Sequence, residues 1–316
     1  MAEPQKPRDI GASVRARLLT LARQKGQAFD LLLTRYANER LLHRLSLSSH
    51  RNRFVLKGAM LLTTWFDDPH RPTRDMDFLG YGDSEPNAML ITFREICAIE
   101  VDDGIVFDAD ALCVQLIREE LEYGGLRLRT TGALAGARIP VIIDIGFGDA
   151  IEPGIEEVDL PVLLDLPQPR LRVYARETVI AEKFQAMVML GLINSRMKDF
   201  YDVWILSRSY EFDEDRLSRA IAATFERRGT AIPLEVPMAL TQDFAADAGK
   251  QRQWAAFVRD LAVEIPVFEA VVADLAGFLM PYARYARDRG RPRLNALSES
   301  TTVSPEALGS PADVPR

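Results

Sequence analysis

Two aspartates separated by one residue, Asp75 and Asp77, form the most informative pattern in the sequence. They lie in a segment typical of a strand, 74–79, and strand side chains repeat every two residues, so both carboxylates lie on one face. Two like charges at that distance are unfavourable unless a cation lies between them. An oxygen-rich site without histidine suits Mg²⁺ or Mn²⁺. By itself, such a pair is more often part of a turn or a salt bridge.

A third aspartate, Asp144, stands inside the apolar run 139–148. A charge in such a run needs a partner, because an unpaired buried charge is costly. A cation shared with Asp75 and Asp77 would supply that partner. The strand-embedded aspartate therefore strengthens the indication of a metal site well beyond the first pair.

A lysine–glycine pair, Lys57–Gly58, ends the apolar run 54–56 and precedes a helix-forming segment. Glycine lets the backbone approach a ligand closely, and the N–H groups at a helix start favour phosphate. A plain strand-to-helix turn would explain the glycine as well. Lys57 and Arg74 flank the aspartates, where they would either neutralise phosphate or form salt bridges with the carboxylates.

A second cluster of charged residues follows in two predicted helices, 177–190 and 198–209. The charged residues of this cluster are Glu182, Lys183, Arg196, Lys198, Asp199 and Asp202. Taken singly, they are typical of solvated helix surfaces. An acid in the first turn of a helix, such as Asp199, is also favoured by the helix dipole alone.

In this order, the motifs resemble those of the AbiEii/MenT-type nucleotidyltransferases, the toxins of type IV toxin–antitoxin (abortive-infection) systems. The matching motifs are Lys57-Gly58, Arg71–Asp77, Ile143-Asp144, Glu182-Lys183 and Lys198–Asp202, and they span about residues 50–210. The resemblance implies an α/β (or α+β) fold. Its core would be a DNA-polymerase-β-like nucleotidyltransferase domain with a mixed sheet, followed by a mostly helical C-terminal domain.

The resemblance also implies roles for single residues. The metal ligands would be Asp75, Asp77 and Asp144, and the catalytic set would add Lys183, which holds the triphosphate, and Asp199 or Asp202 as a late catalytic acid. The nucleotide-binding set would be Lys57, Gly58, Thr73, Arg74, Lys183, Arg196 and Lys198. The family commonly has a serine before the aspartate pair, whereas this chain has Thr73–Arg74, so Thr73 would supply the hydroxyl.

The implied function is a metal-dependent transfer of NMP from an NTP to an acceptor hydroxyl. The expected cofactor is Mg²⁺ or Mn²⁺, the expected acceptor is the 3′ end of tRNA or another RNA, and the consequence would be a block of translation and growth. An antitoxin encoded nearby is expected from the family alone. Three alternatives stay open: an AMPylation-like enzyme that modifies a protein hydroxyl, a metal-dependent nuclease, and a non-catalytic regulator of the same fold.

The composition limits the class of protein. The chain is 47% hydrophobic and 27% charged, which is ordinary for a globular protein. Two cysteines and three histidines argue against a disulfide scaffold and a Cys/His zinc site. Because the sequence has neither a secretory signal pattern nor an apolar run of about 18 residues, we expect no membrane segment and a cytoplasmic location.

The charge is distributed unevenly. The net charge is −7, but residues 1–53 contain 11 Lys/Arg and four Asp/Glu. A basic face of this kind would suit a polyanion such as RNA, as would the arginines of 284–293 with Tyr282 and Tyr285. Solvated helix surfaces and a solvated tail explain both features equally simply.

The pattern of helices and strands divides the chain into four segments. We predict N-terminal helices packed on the core at 1–50, broken near Gly26, and the nucleotidyltransferase core at 51–165, with strands at 111–118, 125–134 and 138–147. The helical C-terminal domain would cover 166–288. Residues 289–316 are rich in Pro and Ser, which predicts a disordered tail.

Overall fold

The structure is a computed structural model that describes residues 9–66, 71–117, 125–259, 261 and 264–289. The predicted tail lies outside the described residues, apart from Arg289 at the end of the last helix. No helix in the described part of the chain is long and apolar enough to span a membrane.

Eight strands and ten helices are formed within the described residues. The strands are β1 (Phe54–Lys57), β2 (Asp75–Gly80), β3 (Val106–Phe107), β4 (Cys113–Ile117), β5 (Gly125–Leu134), β6 (Ala137–Phe147), β7 (Ile155–Asp159) and β8 (Arg170–Tyr174). The helices are α1 (Ile10–Lys25), α2 (Phe29–Leu47), α3 (Leu62–Trp65), α4 (Pro86–Cys97), α5 (Arg176–Leu190), α6 (Met197–Ser209), α7 (Glu214–Arg227), α8 (Gln242–Ala246), α9 (Ala248–Val258) and α10 (Phe268–Arg289).

All the strands belong to one mixed sheet in the order β3-β5-β6-β2-β1-β8-β7, with β4 also paired to β5. The β2–β6 and β1–β8 pairs are parallel and the other pairs are antiparallel. This architecture, with α5 to α10 after the last strand, confirms the predicted fold class. The four predicted segments stay predictions, but β8 falls within the segment predicted as helical, 166–288, and still belongs to the sheet.

One face of the sheet is packed with apolar side chains and the other carries the carboxylates, because successive side chains along a strand point to opposite faces. In β6, Ile139, Val141, Ile143 and Ile145 are buried on one face, so Asp144 faces the other way. On β1 and β2, the rings of Phe54 and Phe78 pack on each other, and Phe54 also packs on Phe93 of α4. Helix α4, with α2 beside it, therefore covers the face opposite to the carboxylates.

The predicted break between the N-terminal helices is confirmed at Gly26, which ends α1 in the left-handed conformation. Arg40 and Arg44, two arginines of the basic N-terminal segment, are buried, and both form ion pairs with Asp103. Arg35 pairs with Glu39 in the same helix. The exposed positive charge of this segment is therefore smaller than the sequence indicates.

Candidate active site

A row of four charged side chains crosses the middle of the sheet. Strand register pairs Lys57 with Asp77, Asp77 with Asp144, and Asp144 with Arg127. Register partners on neighbouring strands lie on the same face of a sheet. Two carboxylates are thus flanked by a cation on each side.

The three predicted carboxylates converge at this row. Asp75, Asp77 and Asp144 each offer an oxygen, and these oxygens all lie within 4.8 Å of one another. Burial, and secondarily the charge of Asp75, raises the pKa of Asp77 from 3.8 to about 6. A half-buried set of carboxylate oxygens that repel one another fits a hard divalent cation such as Mg²⁺ or Mn²⁺.

Arg127 binds the third carboxylate, that of Asp144, a contact that was not predicted from the sequence. Its Nε donates to Oδ1 of Asp144 at 2.7 Å, and its second donor nitrogen contacts Oδ2 at 2.6 Å. A bidentate pair of this kind fixes the plane of a carboxylate. Each oxygen retains a second lone pair, so Asp144 remains able to bind a cation while Arg127 orients it.

Replacing Arg127 by methionine should weaken Mn²⁺ binding about 10- to 100-fold, because a partner that orients a metal ligand commonly contributes that much. Calorimetric titration of the metal-free protein measures the affinity. Arg129→Met is the matched control, since Arg129 lies on the same strand and bonds Gln115 instead of the carboxylates. Unchanged or tighter Mn²⁺ binding by Arg127→Met would show that Arg127 merely competes with the cation.

The close approach of Asp77 requires glycine at position 58, while the predicted phosphate contact of Gly58 stays a prediction. Its φ is +72°, and a Cβ at this position would lie 2.2 Å from Oδ2 of Asp77. The segment after it forms one 3₁₀ turn, Gly58–Leu61, and then the four-residue α3. Such a short helix has little dipole, so the close approach of Asp77 explains the glycine better than a helix-terminal phosphate site.

We expect Gly58→Ala to lower the free energy of unfolding by about 2–5 kcal/mol, from left-handed strain plus displacement of Asp77. Gly82→Ala separates the two effects, because Gly82 has a φ of +84° but a Cβ at this position would lie 4.0 Å from its nearest neighbour, Nε of Arg53. That control should cost only the strain, about 1–2 kcal/mol. Equal losses in urea unfolding of the two variants would contradict the assigned contact with Asp77.

A charged cleft opens in front of the carboxylates. Of the predicted site residues, those that line it are Lys57, Gly58, Thr73, Asp75, Asp77, Lys183, Arg196, Lys198 and Asp199. Thr73, which stands where the family commonly has a serine, donates its hydroxyl to Oδ1 of Asp75 at 3.1 Å. Arg74, Asp144 and Asp202 are absent from the described lining, so Asp144 lies beside the cleft with its oxygens near those of Asp75 and Asp77. Arg74 is exposed, and its backbone oxygen accepts from Asn38.

One wall of the cleft is a cluster of two acids and two bases that joins Arg71 to α5 and α6. Arg71 bonds both oxygens of Asp202 at 2.6 Å, and Nζ of Lys183 lies 2.6 Å from Asp199 and 2.9 Å from Asp202. Burial alone would lower the pKa of Lys183, but Asp199 and Asp202 raise it, so its charge is maintained. Asp202 is fully buried behind Asp199, which faces the cleft.

A second cluster of the same composition forms the other wall. Lys57 contacts Asp149 at 2.5 Å and Glu182 at 3.6 Å, while Arg228 contacts Asp149 at 3.3 Å and Glu182 at 3.0 Å. Burial outweighs the attraction of Lys57 and raises the pKa of Glu182. Asp149 and Arg228 were not identified from the sequence, because neither belongs to a motif. They follow the ends of β6 and α7 and meet only through packing.

The family is decided by a sequence comparison. Residues 40–274 match the family model described as "Nucleotidyl transferase AbiEii toxin, Type IV TA system". The chain belongs to this AbiEii family. The resemblance drawn from the motifs is therefore confirmed, and the protein is a nucleotidyltransferase of the toxin–antitoxin class.

Two crystal structures from Helicobacter pylori are similar to this chain. JHP933 aligns with a TM-score of 0.47 and 16% identity, over 81% of this chain and 94% of its own. A candidate nucleotidyltransferase aligns with a TM-score of 0.46 and 16% identity, over 81% of this chain and 98% of its own. No curated protein sequence matches the chain significantly.

Proposed function

We propose that this AbiEii-family protein transfers NMP from an NTP to the 3′ end of tRNA in a reaction that depends on Mg²⁺ or Mn²⁺. The observation that carries the proposal is the convergence of Asp75, Asp77 and Asp144 beside a cleft lined by lysine and arginine side chains. Carboxylates that bind a cation and basic groups that bind phosphate are the two requirements of phosphoryl transfer.

Asp75, Asp77 and Asp144 would hold the metal. When bound, a divalent cation supplies charge stabilisation for the transferring phosphoryl group and lowers the pKa of a coordinated hydroxyl. Thr73 and Arg127 orient Asp75 and Asp144, so two of the three carboxylates are positioned before any ligand arrives. Asp144 would also help to accept the proton of the attacking hydroxyl, through a lone pair that Arg127 does not use.

Lys183 would bind the triphosphate. Its ammonium group has three donors, and two of them point to Asp199 and Asp202 among the described residues. The third donor remains for a phosphate oxygen, and the ion pairs hold Nζ in a fixed place. Arg196 and Lys198 are exposed at the same cleft and would neutralise further phosphate charge. Asp202 then acts by positioning Lys183, and Asp199 is the better placed late catalytic acid.

Membership of the toxin class supports the proposed acceptor and the proposed setting. Nucleotide addition to the 3′ end of tRNA would block aminoacylation, which accounts for growth inhibition by a nucleotidyltransferase. We propose that the reaction takes place in the cytoplasm and that an antitoxin encoded nearby restrains it.

The test is incubation of the purified protein with α-labelled NTP, Mg²⁺ or Mn²⁺, total RNA and total protein. We expect label in RNA of tRNA size, and none after chelation of the metal. Label in protein would indicate an AMPylation-like enzyme instead, and shortened RNA without label would indicate a nuclease. Labelled RNA in the presence of excess chelator would contradict the metal dependence.

A further inference from the structure

A second cavity lies beside the cleft, between the beginning of α6 and α9. Its volume of 580 Å³ is within the range of small-molecule sites, about 300–1,000 Å³. Arg71 and Lys198 line both cavities, so the two are neighbours with a shared wall. None of the steps proposed above uses this second cavity.

The lining of this cavity differs from that of the cleft. Met197, Phe257 and Leu261 supply apolar surface, and Ser195 and Gln253 add polar groups without a formal charge. Away from the wall shared with the cleft, where Arg71 and Lys198 lie, a flat ring with polar edges is therefore better suited to this cavity than a phosphate group. Nucleobases have that chemistry, and proteins commonly bind them against aromatic side chains.

The aromatic ring in the lining is held in place by its neighbours. Phe257 packs edge-to-face on Tyr201 and tilted against Trp254, with ring centroids 5.7 Å apart in both pairs. It is only half-buried, so part of the ring remains accessible. Gln253 lies four residues earlier on α9, and residues at this spacing share a helix face. The cavity thus presents an ordered aromatic surface beside an exposed amide.

The charge around the cavity favours a polyanionic chain as the source of the base. Helix α9 contains no acidic residue, Arg252 is exposed on it, and Lys198 is exposed at the shared wall. A free NTP has its own phosphates in the cleft, whereas an RNA acceptor needs cations along a separate path. The N-terminal basic segment is less well placed, because α2 lies with α4 at the opposite face of the sheet.

We propose that this cavity binds the terminal nucleobase of the RNA acceptor, with the base against Phe257 and its polar edge near Gln253. The shared wall would then direct the terminal ribose towards the carboxylates. This inference rests on the proposed transfer to RNA and names the subsite that positions the acceptor.

The test uses a fluorescent RNA hairpin with a single-stranded 3′ end, and the same RNA with an abasic last nucleotide. We expect the wild-type protein to bind the complete RNA about 5- to 150-fold more tightly in anisotropy titrations, which is the usual contribution of one stacked base. Phe257→Ala should bind both RNAs equally, at the level of the abasic RNA. Gln253→Ala should lose part of the preference, and the KM for NTP should stay unchanged in both variants.

Two controls distinguish a loss of base recognition from other effects of the substitutions. Gln251→Ala changes the same residue type on the same helix outside the cavity lining, and it should retain the wild-type preference. Thermal unfolding checks Phe257→Ala, because its ring packs on Tyr201, whereas Gln253 is exposed and its loss should not affect folding.

Three results would overturn the inference. Equal binding of both RNAs by the wild-type protein would show that no base is recognised. A raised KM for NTP with unchanged RNA binding in Phe257→Ala would assign the cavity to the base of the NTP. A preference for the complete RNA that survives in both variants would place the base elsewhere. A wild-type protein that prefers the complete RNA yet transfers no nucleotide to it would contradict the proposed function alone and still support the cavity.

Discussion

Replacing Asp77 by asparagine should abolish nucleotide transfer while making the metal-free protein more stable at neutral pH. Asp77 occupies the centre of the charged row, between Asp144 and Lys57. Its loss removes a ligand from an all-oxygen site, and charge stabilisation by a bound metal contributes several kcal/mol. We therefore expect transfer to fall by at least about 10³-fold, measured with labelled NTP under saturating wild-type conditions.

The stability effect has a defined pH window. Because the pKa of Asp77 is raised from 3.8 to about 6 in the folded protein, its ionisation destabilises the fold as pH rises between these values. Asparagine has no such ionisation. Wild-type and variant should be similarly stable below about pH 4, and the variant should gain up to about 3 kcal/mol above pH 6.

Urea unfolding in the presence of a chelator, at pH 4 and at pH 7.5, measures this difference. Asp102→Asn is the control, since it removes an exposed carboxylate away from the cleft, and it should leave both activity and the pH profile unchanged. Wild-type transfer activity in Asp77→Asn would contradict the metal assignment. An equal stability difference at both pH values would contradict the electrostatic origin of the gain.

The placement of the three carboxylates could be predicted because it depends on local patterns. Alternation puts Asp75 and Asp77 on one face, and the buried isoleucines around Asp144 show which face of β6 it occupies. Arg127 was missed although its signal was available. Arg127 is seven residues before Leu134 and Asp144 is seven residues after Ala137, so the Leu134–Ala137 pair of the hairpin brings Arg127 opposite Asp144.

The two charge clusters could not be predicted in the same way. Asp149 and Arg228 are 79 residues apart in sequence and meet only after the helices that follow β8 pack on the sheet. Strand β8 was missed because its alternation, with Leu171 and Val173 buried, extends over only five residues. Long-range packing therefore supplies the walls of the cleft, whereas local periodicity supplies the carboxylates in front of it.

Lys183→Ala should remove growth inhibition when the protein is expressed without its antitoxin, because Lys183 is proposed to bind the triphosphate. A charge-assisted hydrogen bond of this kind contributes about 1.5–3 kcal/mol, so NTP affinity in calorimetry should fall about 10- to 150-fold.

The same change leaves the buried Asp202 with Arg71 alone and Asp199 without its closest cation, which threatens the fold. The double variant Lys183→Met/Asp199→Asn removes one charge of each sign and therefore separates the two effects. We expect it to fold, as judged by thermal unfolding, and to bind NTP as weakly as Lys183→Ala. Binding of NTP by the folded double variant with wild-type affinity would show that Lys183 is only a structural partner of Asp199 and Asp202, and that the phosphates are held by Arg196 and Lys198.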